Sequence, residues 1–327
     1  MKKIAILTLL VVSLFSCKQS SKEDVQAILS ESNGKINNVS IIIDDNLWNG
    51  EIGDSIRKKF AAPVDGLPQE EPLFTLNQYP TKVFEGFVRK SRNIIVFKKG
   101  KEAGYAANTN KFAKPQNIFF ISGTDTEDIL NVIEEKSAEI IKTIKASEIV
   151  ENQIRMKKSL VSDEQIQKKF GVSLQIGFGF KYDMVKENFI WLRKEFTSGY
   201  NSILIYQVPI EKVEKDTNII GNITAMRDEV GKANIHGALP NTWMITEAAY
   251  APYLFDVTVA GKKTYLTKGT WELKNDFMAG PFVNYAIKDT KNKRYLIIEG
   301  FTYNPSKSKR DLVFELEAII QSVKFLK

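Results

Sequence analysis

The sequence predicts an α+β protein made of two related strand-helix-strand-strand-helix units with mainly antiparallel sheets, the second carrying a β-rich insertion. Three observations predict it. Short β-branched and aromatic runs such as NIIVF and NIFFI recur between polar turns, as strands do. Two amphipathic helical stripes close the halves, one through Leu130, Ile133, Ser137, Ile140, Ile141 and Ile144, the other through Leu312, Leu316, Ile319, Ile320 and Val323. The ending AIIQSVK of the second stripe also aligns position by position with EIIKTIK of the first, which suggests duplication.

The elements follow in order. Residues 1–16 read as a signal peptide, residues 17–35 as a polar tether, residues 36–160 as the first unit and 161–327 as the second. Val39 to Ile43 is the first strand, and helical character continues from there to Lys59. AAPVDGLPQEEP, with three prolines and a glycine, is expected to be an exposed loop. Asn93 to Phe97 and Asn117 to Ile121 are further strands. GTDTED then starts the long helix, with Thr124 as cap and Glu127 in capping-box spacing. In the second unit VSLQIGFGF is expected to open with a strand and MVKENFIWLRKEF, residues 184–196, to form the helix behind it. The insertion, at about 209–290, holds a hairpin of YLFDVTVA and KTYLTKGTWEL through Gly261-Lys262, and GPFVNYAIKD pairs with KRYLIIEGFTY through TKN. The final helix is expected over Arg310 to Phe325.

The only cysteine, Cys17, stands after two lysines and the uncharged run Ile4 to Phe15. At about 1.5 Å per residue that run is too short for a hydrocarbon core of about 30 Å. Leu14-Phe15-Ser16-Cys17 is similar to the bacterial lipobox, so Cys17 is expected to become the first mature residue and to carry diacylglycerol and a palmitate-type chain. Multiple chains are what make such anchoring stable, at about 0.8 kcal/mol per buried methylene. The expectation is therefore a membrane partner through the N-terminal lipid and a place in the cell envelope, at the outer membrane, with periplasmic or surface orientation open. With no second cysteine, an intramolecular disulfide is excluded.

Loss of the leader would lower the formal charge from +7 to +5. Basic residues are scattered in short groups and no nucleic-acid motif appears, so no nucleic-acid partner is expected. A single histidine, His236, leaves zinc and a Ser-His-Asp triad without their parts; no metal, no cofactor and no catalytic residue are assigned. Paired carboxylates are harder to dismiss, since Asp44, Asp45, Glu247, Asp256, Glu272 and Asp276 could converge in space. Nine aromatic residues crowd residues 243–285. Trp243, Tyr250, Tyr253, Trp271, Phe282 and Tyr285 form the candidate binding face, for which a sheet core is the plainer explanation.

The lipobox-like start, together with Trp243 to Thr246, Gly269 to Leu273 and MAGPFVNY at Met278 to Tyr285, resembles a Bacteroidota lipoprotein family defined by a domain of unknown function. The resemblance implies an envelope lipoprotein and brings no catalytic residues. A non-catalytic protein that binds an envelope protein or glycan partner, or supports envelope assembly, is the leading expectation. An envelope hydrolase using carboxylates of the 243–285 region is the alternative.

Overall fold

The computed structural model describes residues 29–326. Cys17, the leader and most of the tether therefore lie outside the described residues. Among those described, no helix is long and apolar enough to cross a membrane.

The first half holds a five-stranded sheet of β1 (Asn38–Ile42), β2 (Thr75–Tyr79), β3 (Asn93–Lys99), β4 (Gly104–Thr109) and β5 (Asn117–Gly123). Its order is β2-β1-β3-β5-β4. Pairing over the whole molecule is mostly antiparallel, but here β2, β1, β3 and β5 run parallel and only the edge strand β4 is reversed. The reason is visible in the runs that predicted strands. NIIVF and NIFFI have no polar alternation because both faces are covered, which is the pattern of parallel strands. On one face Ile41, Ile95 and Phe119 meet α1 (Glu51–Phe60) and α2 (Thr126–Met156). On the other Ile42, Ile94, Val96 and Ile118 pack under Phe84, Val88 and Phe112.

α2 runs to Met156, but its cap is Asp125, which accepts from the Asp128 amide at 2.9 Å. Thr124 instead donates its hydroxyl to Asp128. A short helix, α3 (Glu164–Phe170), ends at Gly171, and β6 (Val172–Ser173) follows.

The second half is an eight-stranded antiparallel sheet of β7 (Lys181–Val185), β8 (Phe189–Phe196), β9 (Gly199–Pro209), β10 (Trp243–Thr246), β11 (Tyr253–Val259), β12 (Lys262–Lys274), β13 (Ala279–Asp289) and β14 (Arg294–Tyr303). Its path is β10-β12-β13-β14-β9-β8-β7, with β11 paired to the first half of β12. Both expected hairpins form; Ala260 and Gly261 take positive φ at the first turn. Residues 184–196 are a correction: they belong to β7 and β8, because Phe189-Ile190-Trp191-Leu192 is a continuous run buried on both faces. The strand orders of the two halves also differ, so the likeness between them reduces to a closing helix laid on a sheet.

The insertion is not wholly β. α4 (Ile219–Asn234) covers one face of the sheet, its Ile223 and Met226 in one cluster with Trp271, Phe282 and Ile297. Its glycines obscured it in sequence, yet Gly231 is needed, since a Cβ there would stand 2.4 Å from the Met244 carbonyl oxygen. α5 (Arg310–Ile320) lies on the opposite face with Ile205, Val283, Tyr285 and Ile298. The chain ends in β15 (Lys324–Phe325), paired with β6.

The halves interlock. The expected exposed loop 61–72 is half-buried in places. Leu67 packs on the second core, and the Glu71 carboxylate accepts from the Lys309 and Arg310 amides at 2.6 and 2.9 Å, which caps α5. Each half also buries an Arg–Glu pair. Glu148 on α2 accepts from Arg92 Nε at 2.6 Å and Nη2 at 3.0 Å, from Asn93 Nδ2 at 2.7 Å and from the Asn37 amide at 2.8 Å. Glu299 on β14 accepts from Arg227 Nε at 2.8 Å, Arg227 Nη2 at 2.7 Å and Asn284 Nδ2 at 2.7 Å, with the guanidinium carbon 3.5 Å from the centre of the Phe282 ring.

Candidate functional site

The six aromatic residues do not form one face. A strand sends alternate side chains to opposite sides, and the length of β12 and β13 divides the group. Trp271 and Phe282 are buried under α4, where the Trp271 indole Nε1 donates to the Thr302 carbonyl at 3.2 Å. Tyr285 is buried on the α5 side, its hydroxyl accepting from Gln321 Nε2 at 3.2 Å. Burial pushes its phenol well above the usual range. These three are core residues. Trp243 is half-buried near the start of β10, with the Lys232 and Lys274 ammonium groups 5.3 and 5.2 Å from its ring. Tyr250 and Tyr253 alone remain well exposed, at 67% and 49%.

Those two tyrosines line a cleft of about 460 Å³ between the 249–253 loop, Gly269 and Thr270 of β12, and the proline-rich residues 63–70 of the first half. Two glycines shape its floor. A Cβ on Gly66 would stand 2.9 Å from the Gly269 amide, and one on Gly269 would stand 3.0 Å from the Phe282 ring, so loop and strand touch through backbone. Tyr253 stacks parallel on Phe255, centroids 6.4 Å apart, which fixes the ring as a flat platform. Asp65 and Glu70 on the facing loop make the opposite wall polar. Sequence reasoning located the tyrosines and missed the loop, whose only signal was a hydrophobic Leu67 among prolines.

One carboxylate pair forms beside this cleft. Ile245 is opposite Glu272 in the β10–β12 register, and the Glu247 amide donates to the Thr270 carbonyl at 2.9 Å. Glu247 and Glu272 come within hydrogen-bonding reach, and burial first, then the Glu247 carboxylate, hold Glu272 above the usual carboxyl range. The other four acids are dispersed. Asp44 accepts from the Thr81 amide and Asp45 from Gln78, Asp256 faces Lys263 at 3.9 Å on the surface, and Asp276 accepts from the Phe277 amide in a turn. His236 is on the surface with its Nε2 2.9 Å from the Lys232 carbonyl oxygen. Among the described residues no three His, Cys, Asp or Glu side chains gather as a metal site.

Fold and site together define an α+β chain with a tyrosine-lined cleft at the junction of its halves. Residues 159–322 match the family described as Domain of unknown function (DUF4837), a span of half the chain, so the protein belongs to that family. Residues 32–157 match Domain of unknown function (DUF8532). No curated protein matches the sequence. Among solved structures, the Ran-binding protein Mog1p of Saccharomyces cerevisiae is similar at 10% identity over 48% of this chain and 91% of that one, with a TM-score of 0.33. A mutant of protein Mog1 is similar at 10% identity over 48% and 92%, with a TM-score of 0.30. Scores at this level carry no argument about fold or activity.

Proposed function

We propose that the protein is a Bacteroidota-type envelope lipoprotein, anchored at the outer membrane through acylated Cys17, whose body is a non-catalytic module binding an envelope glycan or protein segment in the tyrosine cleft. The supporting observation is the pair of exposed rings, Tyr250 and Tyr253, held over a polar-walled cleft of about 460 Å³. Flat rings with a hydroxyl edge stack on sugar or peptide faces at low entropic cost and carry much of the contact energy where they occur. The test is crosslinking in the native envelope followed by mass spectrometry, comparing the natural chain with Tyr250→Ala/Tyr253→Ala. A reproducible partner lost from the double variant supports the reading; the same partners recovered from both would sink it. For the anchor, labelled fatty acid is expected to be incorporated and to disappear with Cys17→Ala.

The closeness of Glu247 and Glu272 favours a second reading, an envelope hydrolase using this carboxylate pair beside the cleft. Hydrolysis of envelope glycan fragments by the natural chain, abolished by both Glu247→Gln and Glu272→Gln, would establish it over the first.

A further inference from the structure

A larger and more apolar cavity, about 670 Å³, lies where α2 of the first half crosses β11, β12 and α5 of the second. Ile141 and Ile149 come to it from α2, Val257 and Val259 from β11, and Leu266 and Phe314 from below. The helix wall is concave because Ala138 and Ala146, two turns apart, present almost no side chain. In size and lining it matches sites that hold small, mostly apolar ligands oriented by a few polar groups.

Its polar groups are unbalanced in sign. Lys142 and Lys145 stand in the middle of the α2 wall, each between apolar residues four positions away on either side. Glu317 is the only carboxylate among the cavity's lining residues, and Lys268 already engages it at 2.5 Å. The Lys145 amine is half-buried. Burial first, and Lys268 second, hold it below the usual lysine range, while Glu317 and Asp65 pull the other way without restoring it. Lys142 stands exposed at the rim of the groove and Lys145 half-buried inside it, so the cation that faces the aliphatic strands is Lys145.

We propose that this cavity binds a single-chain anionic amphiphile, a long-chain carboxylic acid whose hydrocarbon lies along Val257, Val259 and Leu266 while its carboxylate pairs with Lys145. The charge complement selects the head group: an anion gives Lys145 the partner that Glu317 cannot, whereas an alkyl amine would add a like charge. The aliphatic walls select the tail, since each methylene taken from water adds to the affinity. This site is separate from the tyrosine cleft and does not depend on the cleft's occupant.

The test is titration of the full purified chain with the fluorescent fatty acid cis-parinaric acid, and with its alcohol as the uncharged analogue. Saturable binding is expected for both, tighter for the acid. Lys145→Met should weaken the acid at least tenfold and leave the alcohol unchanged, a split that loss of structure would not produce. Ala146→Phe, on the exposed side of α2, should abolish both by filling the groove. Absence of saturable binding, binding indifferent to Ala146→Phe, or equal weakening of acid and alcohol by Lys145→Met overturns the proposal. So does binding seen only in the Cys17→Ala chain, which would assign the groove to the protein's own lipid.

Discussion

The two buried Arg–Glu pairs are alike in burial and unlike in redundancy. Arg92 and Glu148 have side chains 3% and 0% exposed, Arg227 and Glu299 both 2%. Glu148 is saturated by four N–H groups, one of them a backbone amide, and Asn93 cannot turn its amide because its oxygen already accepts from Asn117 Nδ2 at 2.9 Å. Around Glu299 the network has slack. The Tyr206 hydroxyl and the Asn284 amide face each other, yet among the described residues neither the hydroxyl nor the Asn284 Oδ1 makes a well-formed hydrogen bond. A charge taken from water returns its desolvation cost only when every remaining group is satisfied, so the first pair is a rigid staple and the second an adaptable one.

The difference can be broken by substitution. Glu148→Gln puts an amide donor among four donors with no group free to reverse, and a loss of about 3 to 5 kcal/mol is expected in urea unfolding. Glu299→Gln also sets an amide donor against an Arg227 N–H, but Asn284 can turn its oxygen toward that amide, so a loss at the low end of the same range, about 3 kcal/mol, is expected. Equal losses would remove the distinction. Tyr206→Phe deletes a hydroxyl that makes no well-formed hydrogen bond to its neighbour Asn284 and should leave stability within about 1 kcal/mol of the parent.

A carboxylate pair with no cation between its members extends the comparison at the smallest scale. Glu272 has a folded pKa above its ordinary value, from burial first and Glu247 second. A raised carboxyl binds its proton more tightly folded than unfolded, so its favourable contribution is present below the unfolded pKa, about 4.3, and is lost as pH rises through the folded value. Glu272→Gln should therefore raise the melting temperature slightly at neutral pH and give no gain once the medium is acid enough to protonate the parent. A gain of the same size at both extremes would show that the raised Glu272 carboxyl is not the cause.

Much of the β structure was legible because strand residues carry their own signal. The hairpins at Gly261 and Lys293 follow from turn chemistry and flanking β-branched runs. Residues 184–196 were not legible as strands, since a turn at Lys186–Asn188 joins two short runs into a pattern with accidental helical spacing. Nor was α4 legible, because its buried face includes Arg227 and Gly231 beside Ile223 and Met226. Of the candidate face, exposure was the missing quantity: an aromatic residue reads identically in sequence whether it fills the core, as Trp271 does, or stands over a cleft, as Tyr250 does.

By itself the sequence determined the α+β class, the long helix that starts after GTDTED, the antiparallel hairpins and the position of its single cysteine behind an uncharged apolar run, all properties set by local spacing. Only the tertiary structure decided that four strands of the first sheet run parallel, that Glu71 of a proline-rich loop caps a helix 239 residues away, and that a lysine of one half faces the aliphatic strands of the other. The physical reason is range. Hydrogen-bond periodicity and turn preference act between neighbours, whereas a cleft or cavity is a relation between surfaces that the chain brings together only after it has folded.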